Sequence, residues 1–379
     1  MNFSRRRLLK TALSASAVVM AESSPIRLLA EADPGAPYKT PYKYRDLLLR
    51  GTGNAGDFDR LSVDDPIVFR ENGHFYMLYI GFDGTGYQTG LASSDDLVKW
   101  TRVALVGPRD PASPYTKYNL AISSILRDKH LHGKGEALKV DGQYLAAWNA
   151  YPSAGYEEGA AVIGLARSKD LLRWTLTEPI LRPQDGAAWE RGGLYRPDLM
   201  LDHGTYYLYY NAKTENLPKA EGGGWHEQSG VATSRDLLQW TRYAGNPVLR
   251  NGPRGSATYP DAAKTVGAGE QPDARDSRFA SNPFVMVDGN RYAMFYFGFE
   301  YRQPGRACEL LALGTDPYHF AKQPAPLIDV GAPGSIDETF AHKPSVIFHD
   351  GALYHFYCAV SGKYPNEVRG IAVARSKPW

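Results

Sequence analysis

Five stretches of this chain carry residues that could act together on one bond, each at a comparable distance ahead of a tight turn. They hold Asp65, Glu136, Asp198, the pair Ser281 and Asn282, and Lys343. Three carboxylates, a cation and an amide meeting at one point would suit cleavage of a glycosidic bond. That reaction needs one carboxylate kept ionised to activate water or attack carbon and another kept protonated for the leaving oxygen, with neighbours pushing their pKa values apart. Asp64 competes with Asp65 for the first position, because adjacent strand residues face opposite sides and the register is open at this level.

What must gather these residues is a repeat. L-S-V-D-D-P-I-V-F-R-E-N-G-H-F-Y-M-L-Y from Leu61 reads as a short apolar strand, an Asn72-Gly73 turn and an aromatic return strand, a hairpin. Versions follow from Gly133, Tyr195, Ser281 and His342. The first three are each trailed by an outer turn ending in tryptophan, S-S-D-D-L-V-K-W at Trp100, A-R-S-K-D-L-L-R-W at Trp174 and T-S-R-D-L-L-Q-W at Trp240. Such units read as propeller blades. The expectation is an all-β, five-bladed β-propeller over residues 33–379, a single domain. Its last blade lacks an outer strand, so the ring should be closed by an N-terminal strand near Tyr42 to Arg50. Innermost strands would then line one axis, and their first residues would share one funnel. The long connections at 107–132 and 250–279 should wall it, since they lead into inner strands.

Residues 1–32 read as a twin-arginine signal peptide: S-R-R-R-L-L-K from Ser4, a weakly apolar run from Thr11 to Ala21, and a small-x-small site at Ala30-Glu31-Ala32. The expected location is therefore periplasmic or secreted, without membrane insertion. A net charge of +2 and the lack of a basic run beyond the signal give no reason to expect nucleic acid. The 25 tyrosines and 38 glycines suit twisted sheets with many turns. Cys308 and Cys358 are the only cysteines, read as two buried thiols or one bridge between blades. No C-x-x-C or H-E-x-x-H occurs, and His130 with His132 lacks a third ligand, so no metal site is expected.

At Asp65-Pro66, at Arg196-Pro197-Asp198 and through the outer turns, the sequence resembles the five-bladed β-propeller glycoside hydrolases, chiefly family 43 and its relatives in families 32, 68, 117 and 130. The resemblance implies a glycosidase acting on a polysaccharide or oligosaccharide, inverting, with Asp65 as base and Asp198 positioning the sugar and tuning the acid. The family's usual acid, a glutamate entering the fourth blade, is replaced by Ala280-Ser281-Asn282-Pro283. Glu136 takes that role in the present reading, with Glu338, Glu190, Glu300 and the histidines His132 and His342 as substitutes. Asp64, Arg196, Asn282, Lys343, His342 and Glu338 are expected to bind substrate. Trp148, Trp189 and Trp225 fall outside the blade period, and at least one should stack on a sugar ring. No cofactor is required. Some relatives hold calcium in the central channel, yet no oxygen cluster here is specific enough to predict it. Two other readings stand beside hydrolysis: a carbohydrate-binding propeller without turnover, and a glycoside phosphorylase. Oligomeric state is not readable.

Overall fold

The computed structural model describes residues 33–218, 224–255, 273–301, 305–363 and 366–379. The proposed signal segment at 1–32 lies outside them. Pro34–Trp379 forms one compact unit. Among the described residues it is built from strands, with helix confined to three single 3-10 turns.

The expected hairpins form because their turn residues can adopt the left-handed backbone that a two-residue turn between twisted strands needs. Asn72-Gly73, His203-Gly204 and Asp350-Gly351 all have positive φ at both positions. Each hairpin opens an antiparallel meander. The first runs Ser62–Glu71, His74–Phe82, Tyr87–Ser94, Thr101–Gly107. The third begins with Gly193–Asp202, the fourth with Phe279–Asp288 and the fifth with Phe340–His349. The outer turns are built alike. Ser94 Oγ accepts from the amides of Asp96 and Leu97, Asp96 Oδ1 accepts from Val98 and Lys99, and Trp100 Nε1 donates to Leu97 O. The same bonds recur at Ser168 to Trp174 and Ser234 to Trp240. These tryptophans brace turns.

The second meander departs from expectation. Its inner strand is Ala121–Ile125, paired with Gln143–Ala150, and lies inside what reads as a loop. The hairpin at Asp141-Gly142 has only the two-residue arm Lys139–Val140. Between them, residues 126–138 leave the sheet and touch other meanders. Arg70 exchanges backbone bonds with Gly135 and Ala137, Val287 does so with Lys129 and Leu131, and Arg127 donates to Val346 O. This crossing segment fills the space between inner strands at their far ends.

Five apolar clusters lie between neighbouring meanders, and one of them joins Val63, Val68 and Met77 of the first to Phe356, Ile371 and Val373 of the last. Tyr42–Lys43 and Leu49–Arg50 pair antiparallel with the final strand, Val368–Arg375. The strands are grouped in sheets of 13, five and four, none of which returns on itself.

Candidate active site

Four inner strands carry the same fault ahead of a proline. Asp65-Pro66, Arg196-Pro197, Asn282-Pro283 and Lys343-Pro344 each sit at a register shift, and the residue before proline has φ of 64°, 49°, 54° and 69° respectively. Proline has no N–H for the ladder, so the strand bulges and the strict in-out alternation fails there. Left-handed backbone at non-glycine residues costs on the order of 1–3 kcal/mol and collects at functional sites. Here the four bulges turn four side chains toward one funnel. The second meander lacks the proline but bulges at Ser123, between Ile122 and Ser124.

The bulges also answer the question of register. Asp64 and Asp65 both reach the funnel, and both are neutralised. Asp64 accepts from Lys343 Nζ at 2.6 Å, Arg369 Nη1 at 3.0 Å and Tyr156 OH at 2.9 Å. Burial works against its charge, but Lys343 and Arg369 overcome it and hold the carboxyl well below the usual range. Asp65 Oδ1 lies 2.8 Å from Arg196 Nε. Burial pushes its carboxyl up against the pull of Arg196 and Lys343.

Two further carboxylates enter the same funnel where second strands connect to third strands, Glu157 in the loop and Glu227 as the first residue of the strand Glu227–Ser234. Glu157 stands at a left-handed position, φ 65°, and keeps 28% of its side chain exposed. Its carboxylate is 3.6 Å from Lys343 Nζ. Burial raises its pKa, Lys343 opposes, and the charges of Glu227 and Asp64 raise it further. Glu227 is buried and held by neutral donors only: Ser281 Oγ at 2.6 Å, Trp225 Nε1 at 2.8 Å and Asn211 Nδ2 at 3.1 Å. Both glutamates border a cleft of about 220 Å³ with Tyr195, Asn282, His342 and Lys343. Trp225, stacked on Phe279 at 6.0 Å, gives it an aromatic wall. These loops were missed because an antiparallel return strand ends where the inner strand begins, so second-to-third connections share the funnel face with the inter-meander loops.

Several expected residues lie elsewhere. Glu136 belongs to the crossing segment, 3.5 Å from Arg70 at the other end of the first inner strand, on the order of 15 Å from Asp65. It does not border the funnel, because the inner strand of its meander is Ala121–Ile125. Asp198 follows the bulge and points away from the cleft. Its Oδ1 takes Lys129 Nζ at 2.5 Å and its Oδ2 the amide of Val285 at 2.8 Å. Ser124 and Ser345 make the same kind of bond to Leu199 N and Val68 N, so this position staples one inner strand to the next. Arg196 stands where the first meander has Asp65. Trp148 is buried against Gly164 and donates to Leu165 O, and Trp189 stacks on Tyr210. Trp225 is the tryptophan of the three that lines the cleft. Glu338 accepts from Gly334 N and Gly362 N in a loop outside the cleft. Glu190 is consumed by Tyr210 and Arg242. His342 does line the cleft, and burial pushes it down to about 3, so it is neutral. Cys308 and Cys358 are free and buried. Asp64, His342 and Cys358 bring three ligand atoms within 4.8 Å of one another, but Asp64 is already committed to two cations and His342 Nδ1 to Cys358 O. That set does not fit a divalent ion.

Residues 136–261 match the family model described as glycosyl hydrolases family 32 N-terminal domain. A solved structure described as a BT0996 RGII complex is 30% identical, with a TM-score of 0.72 over 91% of this protein and 94% of that one. Another, described as a glycoside hydrolase, is 29% identical with a TM-score of 0.71 over 90% and 93%. The 1,2-beta-oligomannan phosphorylase of Thermoanaerobacter sp. (strain X514) is 27% identical over 162 residues, 41% of this chain and 44% of that protein's length. With a 30% identical structure matched over nearly its whole length and strand meanders that gather polar residues in one funnel, the chain belongs to the β-propeller glycoside hydrolases.

Proposed function

We propose that this protein hydrolyses a glycosidic bond with Glu157 as general acid and Glu227 as the carboxylate that activates water, the inverting course that the resemblance to family 43 implies. One observation carries the assignment: Glu157 and Glu227 are the carboxylates that border the cleft, Glu227 held by neutral donors and Glu157 standing 3.6 Å from Lys343. An acid must hold its proton at working pH, and the burial and like charges around Glu157 favour that. Asp64, locked to Lys343 and Arg369, is too strongly neutralised to act as a base, and Asp65, paired with Arg196, does not border the cleft. They orient those cations and offer acceptors to sugar hydroxyls. Asn282, Lys343 and His342 keep the substrate-binding roles expected of them, and Trp225 supplies the ring face.

The five meanders are, in this reading, five blades of one ring closed by the segment Tyr42–Arg50. The interleaved apolar clusters and the pairing of that segment with the last strand support it. Residues 1–32 would export the folded domain by the twin-arginine route.

A phosphorylase is the second reading, favoured by the oligomannan phosphorylase relative. It needs cations free to hold phosphate, and Lys343, Arg369 and Arg196 are already spent on Asp64 and Asp65. The test is turnover of a panel of aryl glycosides, arabinan and xylan, with and without inorganic phosphate, by the wild type and by Glu157→Gln and Glu227→Gln. Strict phosphate dependence would select the phosphorylase, and no turnover by the wild type would leave a binding protein. Anomeric NMR of the first product reads inversion directly, and retention would make Glu227 the nucleophile.

A further inference from the structure

Beside the main cleft, a chamber of about 20 Å³ opens among Asp65, Tyr87, Tyr151, Tyr195 and Glu157. The hydroxyls of Tyr87, Tyr151 and Tyr195 are buried there without a well-formed hydrogen bond among the described residues; Tyr156 stands near the first and Glu227 near the last. Asp65 Oδ1 also faces this space, with Arg196 Nε 2.8 Å away. The three tyrosine side chains belong to residues only 2%, 2% and 6% exposed. Buried polar atoms are nearly always paired, because an unpaired one costs about 1–3 kcal/mol. Three phenols gathered at one point beside the Asp65–Arg196 ion pair therefore form a receptor for a small group that both donates and accepts. Its volume admits about one oxygen atom with its hydrogens, far less than a sugar ring.

We infer that this chamber receives a single free hydroxyl, or the end of a hydroxymethyl arm, of the sugar that the cleft holds, and that Tyr87, Tyr151 and Tyr195 are specificity-determining residues that restrict action to an unsubstituted chain end. The inference rests on the hydrolytic reading of the cleft. Glu157 borders both spaces, so a hydroxyl seated among the phenols would fix the ring relative to the carboxyl that protonates the leaving oxygen. A further sugar linked through that hydroxyl would have no room. Sites built to hydrogen-bond a substrate hydroxyl reject the analogue lacking it by about 10⁴-fold or more.

The experiment uses whichever 4-nitrophenyl furanoside or pyranoside the full chain turns over, together with its monodeoxy analogues. One analogue should lose about 10³-fold or more in kcat/KM. Tyr151→Phe and Tyr87→Phe, which keep the ring, should each lose about 10- to 100-fold on the parent and nothing further on that one analogue. The glycan of the panel that is cut should release monosaccharide alone. Equal factors on the parent and every analogue, or a ladder of oligosaccharides, would overturn the inference while leaving hydrolysis standing. If no glycoside is turned over, the hydrolytic reading fails separately. Calorimetric titration with arabinose, xylose, galactose and fructose then decides the chamber: weaker binding to Tyr151→Phe supports it, and unchanged binding or no binding of any of the four overturns it.

Discussion

The ammonium of Lys343 lies 2.6 Å from the carboxylate of Asp64, although 279 residues separate them in the chain. Each stands at the proline bulge of its inner strand, and each is nearly inaccessible to water. Burial alone would discharge both. Instead Asp64 is held well below its ordinary pKa, and Lys343 is held well above its own by Asp64 and the other acidic groups around it.

Removing Asp64 should therefore cost more than the pair contributes, because it strands two buried cations, Lys343 and Arg369. Asp64→Ala is expected to destabilise the fold by about 3–5 kcal/mol, read in urea unfolding, and Lys343→Met by less, because Arg369 still holds Asp64. The pair's stabilisation has two pH limits. Asp64 has a depressed pKa, so its share is present above about pH 4 and lost as pH falls through the folded value. Lys343 has a raised pKa, so its share is present below about pH 10 and lost as pH rises through the folded value. A stability profile that stays flat from pH 4 down to pH 2 would contradict the first limit.

Glu157→Gln should lower kcat/KM on a poor leaving group by about 10²- to 10⁴-fold and much less on a dinitrophenyl glycoside, which needs little protonation. The wild-type alkaline limb should report Glu157, whose pKa is raised, with activity falling as pH rises through that value. In the variant that limb should vanish. Persistence of the limb would assign the acid to another group.

Glu136→Gln should leave turnover unchanged and stability within about 1 kcal/mol, since Glu136 is a half-exposed partner of Arg70 remote from the cleft. Asp198→Ala should instead destabilise by about 3–5 kcal/mol, because Lys129 would remain buried without its acid. Chemical unfolding of the two variants side by side separates these outcomes. A hundredfold loss of kcat in Glu136→Gln at unchanged stability would return the acid role to that residue.

Glu309 is buried with both carboxylate oxygens unbonded among the described residues, and His355 Nε2 stands 3.8 Å away. Burial pushes Glu309 well up, toward its protonated form, and His355 down to about 3, so the histidine is neutral at pH 7. The raised carboxyl favours the fold fully below the unfolded pKa of about 4.3 and loses that contribution as pH rises toward the folded value. Glu309→Gln is thus expected to raise the Tm at pH 7 and to change it little at pH 4, measured by scanning calorimetry. Equal shifts at both pH values would show that ionisation is not the cause.

The repeat was legible from residue types alone. Asn72-Gly73 and its counterparts demand left-handed turns, the S-x-D-L-x-x-W outer turns close on their own side chains, and both signals are local in sequence. Asp65, Asn282 and Lys343 were legible as funnel residues for the same reason, since each stands at a comparable distance ahead of the turn of a marked hairpin. The second inner strand was not, because Ala121–Ile125 has no proline and is parted from its hairpin by the crossing segment. That one displacement moved Glu136 from the axis to the opposite end.

Sequence by itself determined the strand-turn period, the residues at the bulges and the resemblance to propeller glycosidases, because turn chemistry and proline act over a few residues. Only the tertiary structure decided which carboxylates meet a cation. Neutralisation is a contact between residues hundreds apart: Lys343 and Arg369 reach Asp64, Arg196 reaches Asp65, and Lys129 reaches Asp198. Glu157 and Glu227 belong to no repeated motif, and what marks them is their place on the cleft once the chain has folded.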